Sequence, residues 1–184
     1  DPASIDSAMI GGLAANNASG MCCGTSENSY KTIADIKLIL ADGTELDTAS
    51  EESRKNFAAT HGKMLEQLED IARRIEADQT LKERIQRKYK IKNTTGYSLN
   101  AFVDYKDGFD ILKHIIIGSE GTLAFISSIT YNTVVEHPHK GLALMIFPTI
   151  KEACEAVQIL KQQPVSAVEM MDRASIKSVE NATG

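Results

Sequence analysis

The apolar positions along the chain change period several times. Ile36, Leu38 and Leu40 alternate with Asp35, Lys37 and Ile39, the two-residue repeat of a β-strand. Asp42-Gly43 behind them carries the signature of a type I′ hairpin turn, with Thr44-Glu45-Leu46 returning. From residue 50 to residue 89 the repeat lengthens. Phe57, Met64, Leu65, Leu68, Ile71, Ala72 and Ile75 recur at helical spacing, while Glu69 with Arg73 and Asp70 with Arg74 form acid-before-base pairs on the other face. Thr80-Leu81-Lys82-Glu83 reads as a capping box that restarts a helix through Ile85 and Tyr89. The dense charge of this region describes a solvated helix face; a partner-binding surface is the sharper reading of the same pattern.

Asn93-Thr94-Thr95-Gly96-Tyr97 is a turn cluster. Gly108 precedes a short apolar element over 109–117, and Gly118-Ser119-Glu120-Gly121-Thr122 feeds a β-rich run over 123–135. His137-Pro138-His139-Lys140-Gly141 reads as a linker. Beyond it, 142–147 has the continuous apolar character of a buried strand. Thr149-Ile150-Lys151-Glu152 is a second capping box, opening a helix with Ala153, Val157 and Leu160 on one face and Pro164 beyond its end. Residues 165–171 read as another strand, and Asp172 as the cap of a further helix. The expected architecture is α+β: a mainly antiparallel sheet packed by helices, then a β-α-β unit that opens an α/β sandwich.

One stretch has neither period. After a short helical turn that Ser4 is placed to cap, Ile10-Gly11-Gly12-Leu13-Ala14-Ala15-Asn16-Asn17-Ala18-Ser19-Gly20-Met21-Cys22-Cys23-Gly24 collects glycines, asparagines and small residues, with no charge between Asp6 and Glu27. Glycine takes positive φ freely and asparagine tolerates it. Such a run can turn successive N–H groups to one side and let a phosphate or flat ring approach the backbone. A ligand-approach loop is favoured over an idle surface loop, because flexible linkers are usually Ser/Gly-rich with charges. The 118–122 loop stays open between a tight turn and a second place where backbone meets ligand.

Composition narrows the function classes. The chain has 184 residues, 42% hydrophobic and 24% charged, with a net charge of −5 and a pI near 5.4. The acidic balance argues against nucleic-acid binding. No apolar run approaches a membrane span. Three cysteines, two of them adjacent, do not make a disulfide framework and favour a reducing compartment. The opening without methionine and the close just as a helix begins read as the cut ends of a piece of a longer protein.

Catalytic patterns are sparse. Cys22 and Cys23 are adjacent, not spaced as a CxxC, and either is a candidate nucleophile only through nearby N–H groups. His61, His114, His137 and His139 are scattered and suggest no metal site. GxSxG, GxxxxGK[ST] and GxGxxG are all missing.

The order of motifs adds more. Asp1-Pro2-Ala3-Ser4, the Ile10-to-Gly20 run, a strand ending in Leu40-Ala41-Asp42-Gly43, Ile117-Gly118-Ser119-Glu120-Gly121-Thr122-Leu123, and Ala167-Val168-Glu169-Met170-Met171-Asp172-Arg173 follow one another. In this order they resemble the FAD-linked oxidases of the vanillyl-alcohol oxidase / p-cresol methylhydroxylase superfamily. The nearest resemblance is to its D-lactate, glycolate and D-2-hydroxyglutarate dehydrogenases.

The resemblance implies a second FAD-binding subdomain over 1–136, with a helical insertion at 50–92, and the start of a substrate (cap) domain over 137–184. It implies FAD contacts at Pro2, Ser4, Ile10, Gly11, Gly12, Asn16, Asn17, Ser19, Gly20, Ile33, Ser119, Glu120 and Gly121. Thr25-Ser26-Glu27 stands where many relatives have Arg-Tyr-Gly, and Ala124 where they often have Gly. The implied reaction is oxidation of a small 2-hydroxy acid by hydride transfer to flavin, with electrons passing to a further acceptor. Its catalytic residues are expected beyond Gly184, so none is assigned. The insertion resembles relatives fused to an iron–sulfur module, which would lie outside this chain. The implied location is cytoplasmic, or peripheral at the inner face of a membrane. Half a cofactor clamp should bind FAD weakly or not at all, and its exposed apolar face should favour self-association. A non-catalytic nucleotide- or phosphate-binding module, and an interaction domain acting through the Phe57–Tyr89 helices, are the competing readings.

Overall fold

Strand β1 (Ile33–Ile39) is the centre of the fold, and its burial pattern explains why. Ile33, Ile36 and Leu38 are buried, but the first two are three residues apart, which a regular strand would put on opposite faces. A register shift between Ile33 and Asp35 adds one residue to β1 and brings Ile33 onto the core face with Ile36 and Leu38, while the shift between Lys37 and Leu38 adds its extra residue to the facing strand. In the computed structural model, which describes residue 2, residues 4–135 and residues 137–180, β1 lies between β2 (Glu45–Asp47) and β3 (Phe125–Tyr131), both antiparallel to it. Asp1, Ala3, the expected domain boundary at Glu136 and residues 181–184 lie outside the described residues.

The β1–β2 turn differs from the type I′ expectation. Gly43 N–H donates to Leu40 O (3.0 Å) and Leu40 N–H to Thr44 O (2.9 Å), with φ 86° at Gly43 and no positive φ at Asp42. This is a three-residue connection closed by one left-handed glycine. Asp42, spared a left-handed backbone, caps the turn by accepting from Thr44 N–H.

Helix α1 (Ile10–Asn16) is the first surprise, since it runs through the stretch expected to be a loop. Gly11 has no room for a side chain: a Cβ there would stand 3.2 Å from the Ile126 carbonyl. The glycine lets the helix lie directly against β3, and that tertiary contact overrides poor helix propensity. A short α2 (Ser29–Thr32), capped by Asn28, leads into β1.

The charged region folds as expected into α3 (Glu51–Ala77) and α4 (Gln79–Lys88). Phe57, Leu65, Ala72, Ile75 and Ile85 enter the core; Ile71, on the same expected stripe, stays partly exposed. Asp70 pairs with Arg73 (3.4 Å), not Arg74. The second helix starts earlier than the Thr80 capping box implies, because Asp78 caps it by accepting from Leu81 N–H at 2.9 Å. Helix α3 is interrupted at His61 (φ −120°, ψ 17°). The His61 ring stacks on Phe57, and its Nε2 meets Asp42 Oδ2 at 3.0 Å, tying the helix to the hairpin turn.

Two helices are built on this frame. Helix α5 (Ala101–Asp104) has no counterpart in the sequence reading. Helix α6 (Gly108–Ile116) starts at an Asp107 cap and crosses α3 so closely that a Cβ on Gly108 would stand 3.0 Å from Leu65 Cβ. Its apolar face, Ile111, Leu112, Ile115 and Ile116, completes the core.

Residues 1–134 form one compact unit and residues 135–184 another. In the second, the Thr149–Glu152 capping box is present with both halves, opening α7 (Ile150–Leu160), and Asp172 caps α8 (Arg173–Val179). The two expected strands are not formed: 142–147 and 165–171 have no ladder partner among the described residues, and Leu142 is 99% exposed. A lone β-α-β with no neighbouring strands buries too little apolar surface to hold its ladder. The α+β class stands; the β-α-β appendage is reduced to its helices.

Candidate functional site

The site begins where α1 ends. Asn17 is its C-cap in the left-handed region (φ 55°, ψ 37°), and Ala18 N–H bonds back to Leu13 O, satisfying a carbonyl of the last turn. Asn17 is buried and has both ends of its side chain in use. Its Oδ1 accepts from Tyr30 N–H (3.2 Å) and its Nδ2 donates to Asn93 O (3.3 Å).

The second loop docks on this helix end. Gly118 N–H donates to Ala14 O (3.2 Å), which also accepts from Asn17 N–H (2.9 Å), and Glu120 N–H donates to Ala15 O (2.9 Å), so the loop bonds to carbonyls of the last helical turn. Asn16 Nδ2 donates to Glu120 Oε1 at 2.6 Å. Left-handed backbone at Gly118 (φ 91°), Glu120 (φ 54°) and Gly121 (φ 74°) makes the sharp return. Thr122 closes the loop by donating Oγ1 to Ser119 O at 2.6 Å.

Thus Asn16, Asn17, Ser119, Glu120 and Gly121 come together as one structure. Gly11 and Gly12 lie inside α1, and Gly11 faces β3. The expected run of positive-φ glycines forming an N–H nest is therefore not there; within 10–16 the backbone is helical. Ile10 is exposed at the helix start, and Gly20 is half-buried in the coil beyond Ser19. Pro2 and Ser4 only close a local turn, their carbonyls accepting from Ile5 N–H and from Ser7 and Ala8 N–H. Ile33 is a core residue whose N–H is already bonded to Ser29 O. No hydrogen bond among the described residues ties Pro2, Ser4 or Ile33 to either loop.

Two atoms distinguish these loops from a finished surface. Ser19 Oγ and Ser119 Oγ are buried and have no hydrogen-bond partner, although their residues are only 8% and 2% exposed. Native folds rarely leave such groups unpaired, at a cost of about 1–3 kcal/mol each. Of the three buried, unpaired side-chain atoms among the described residues, Asn100 Oδ1 lies outside the loops, while these two fall one in each loop, on residues the family resemblance assigns to FAD. Their chemistry, hydroxyls beside uncharged backbone, fits the oxygen-rich face of a dinucleotide.

Behind the first loop the titratable groups are held in one state. The Tyr30 hydroxyl donates to Asp104 Oδ2 (2.9 Å), and burial, reinforced by that carboxylate, pushes its pKa up. His114 stacks on Tyr105 (3.8 Å between centroids), sits edge-on to Tyr30 and is held neutral by burial, its pKa pushed down to about 4. Neither Tyr30 nor His114 changes charge near neutral pH, so both serve the site as rigid backing. Among the described residues no group of three or more His, Cys, Asp and Glu is placed to hold a metal. Among the described residues no cysteine arrangement supports an iron–sulfur cluster. No helix of the described residues is long and apolar enough to cross a membrane.

Sequence reasoning missed the segment that backs both loops. Lys92, Asn93, Tyr97 and Ser98 all contact them, and Gly118 is the point where the three meet. The available signal was the 93–97 turn cluster lying between an apolar helix and the 118–122 loop.

Known proteins agree with the motif order. Residues 1–49 match the family model described as FAD binding domain, and residues 136–184 match FAD linked oxidases, C-terminal domain. A mitochondrial D-lactate dehydrogenase [cytochrome] of Arabidopsis thaliana is 35% identical over 79 residues, 42% of this chain and 14% of that protein. A D-lactate dehydrogenase of Archaeoglobus fulgidus is 28% identical over 95 residues, 51% of this chain and 18% of that protein. The chain thus spans less than a fifth of the length of either relative. No solved structure matches. The two family matches fall in the expected order at the two ends of the chain, and both support the FAD-linked oxidase superfamily, in which the two similar proteins are D-lactate dehydrogenases.

Proposed function

We propose that residues 1–136 are the second of two FAD-binding subdomains, that 137–184 begin a substrate domain, and that the protein carrying them is an FAD-dependent dehydrogenase of D-2-hydroxy acids. The observation that carries this reading is the pair of buried, unpaired hydroxyls, Ser19 Oγ and Ser119 Oγ, on two loops locked together by Asn16 and Glu120. Bound FAD supplies the acceptor for a hydride from the hydroxyl-bearing carbon of the substrate.

The residues of this chain bind and orient. Ser19 and Ser119 donate to or accept from the cofactor, and Asn17 holds the helix end rigid by bonding to Tyr30 and Asn93. The Gly11 contact with β3 keeps α1 flat on the sheet. Of the other residues matched to the family, Ile10, Gly12, Asn16, Gly20, Glu120 and Gly121 belong to the same two segments. Pro2, Ser4 and Ile33 are matched by resemblance alone, since their backbone bonds close local turns away from both loops. Substrate contacts and the final electron acceptor belong to parts of the protein outside these residues.

D-lactate is the leading substrate, on the strength of the two relatives' names, with glycolate and D-2-hydroxyglutarate as the other members of the class. Anaerobic addition of each acid to the FAD-loaded protein, followed by flavin absorbance, tests this. Bleaching by a D-2-hydroxy acid and not by L-lactate is expected. A protein that binds FAD and bleaches with no 2-hydroxy acid contradicts the substrate class, and one that binds other phosphorylated ligands but not FAD favours a non-catalytic binding module.

A further inference from the structure

The helical insertion ends in a segment that touches both loops, and no role for it follows from the FAD reading alone. Lys92 Nζ donates to the Ser19 carbonyl. One residue on, Asn93 O accepts from Asn17 Nδ2. Tyr97 OH meets Thr122 Oγ1 at 2.9 Å, and Ser98 Oγ donates to Ile117 O at 2.6 Å. The segment is itself anchored to α4: Tyr89 OH donates to Tyr97 O (2.6 Å) and accepts from Leu99 N–H (3.0 Å). At the junction, a Cβ on Gly118 would meet Ser98 Oγ at 3.3 Å, Gly96 O at 3.4 Å and Asn17 Cβ at 3.8 Å, so both loops and the 92–98 segment converge on one residue that must be small.

Lys92 differs from most lysines of this unit. Lys31, Lys37, Lys55, Lys82, Lys106 and Lys113 each face a carboxylate, whereas Lys92 pairs with none among the described residues. Its ammonium is committed to a backbone carbonyl in a loop with no charged side chain, next to a hydroxyl that has no partner. A charged donor on a neutral acceptor makes a stronger bond than a neutral pair. It also fixes the carbonyl of the very residue whose side chain awaits a ligand.

We propose that Lys92 is a positioning residue of the cofactor site: by holding the Ser19 carbonyl it locks the first loop to the 92–98 segment, and through Tyr97 and Ser98 to the second loop, so that the two orphaned hydroxyls face one ligand. This rests on the FAD reading for the identity of the ligand but not for the lock itself. The insertion is then part of the cofactor site, not only a solvated face.

Amide hydrogen exchange on the full chain without added FAD reads the lock directly. Lys92→Ala raises exchange in peptides covering 17–24 and 118–122 by roughly tenfold or more, the worth of a lost charge-assisted bond, while peptides within α3 and α6 exchange as in the wild type. Lys92→Arg, which keeps a charged donor, restores protection. Wild-type exchange in Lys92→Ala, or a rise spread evenly over α3 and α6, overturns the proposal. FAD titration of the same variants is the second arm: roughly tenfold weaker binding for Lys92→Ala with recovery in Lys92→Arg is expected, and unchanged affinity overturns the positioning role. If the full-length wild-type protein, with both halves of the clamp present, binds no FAD while the exchange pattern holds, the lock stands and the FAD reading fails.

Discussion

Replacing Gly118 by alanine tests the junction of the two loops. The residue sits at φ 91°, where an L-residue is strained by about 1–3 kcal/mol. The new Cβ would also stand 3.3 Å from Ser98 Oγ, tighter than ordinary contact, and 3.4 Å from Gly96 O, at the lower edge of ordinary contact. Ser98 cannot swing aside cheaply, because its hydroxyl donates to the Ile117 carbonyl at 2.6 Å in a buried site. Losing that bond costs about 1 kcal/mol, and more if the carbonyl is left unpaired. Restricting the unfolded chain gives back about 0.4–1 kcal/mol. The net loss is about 2–3 kcal/mol. Gly121→Ala is the internal control: φ is 74°, but no atom lies within 4 Å of its Cβ, so it carries backbone strain without crowding. Its net loss is about 1 kcal/mol by the same reckoning. Urea unfolding of both variants, compared at constant slope, reads the difference. Equal losses would refute the claim that the loops and the 92–98 segment are wedged together at Gly118.

Three other outcomes follow from particular contacts. Asn17→Ala leaves Tyr30 N–H and Asn93 O unpaired in a buried place and puts alanine at positive φ, so chemical unfolding should show a loss of about 2–4 kcal/mol. Asp78→Ala should cost about 1 kcal/mol and Thr80→Ala much less in the same assay, because Asp78 is the cap of α4. His114 has its folded pKa pushed down to about 4, below the usual 6.5, so the unfolded chain binds the extra proton between those values. Stability should be full above pH 6.5 and fall as pH drops toward 4, and His114→Phe should flatten that part of the slope between pH 5 and 6.5.

The sequence was most legible where a period and a cap agreed. The β1 strand, the helices over 50–89 and the Thr149 capping box all follow from local patterns that the tertiary structure keeps. Helix α1 was illegible because glycines at 11 and 12 argue against a helix locally, and only the contact with the Ile126 carbonyl makes them favourable. Thr80 lost the cap to Asp78 because both satisfy the same rule and the chain reversal selects the earlier one. The strands at 142–147 and 165–171 carry the right residues, but a ladder needs a partner that no local pattern can supply. At the site, the motifs pointed to both loops, and what no motif could show is that each loop carries a buried, unpaired hydroxyl, at Ser19 and Ser119. Lys92 was hidden because a lysine at the end of a charged helical region looks like any other solvated charge.

The central claim is that these two hydroxyls complete their bonding on FAD. Titration of the full-length protein with FAD, read by quenching of flavin fluorescence, compares the wild type with Ser19→Ala, Ser119→Ala and the double variant. Each single change should weaken FAD binding by roughly fivefold to tenfold, the worth of about one hydrogen bond, while leaving the unfolding midpoint of the FAD-free protein equal or higher. FAD affinity that is the same in all four proteins would contradict the account.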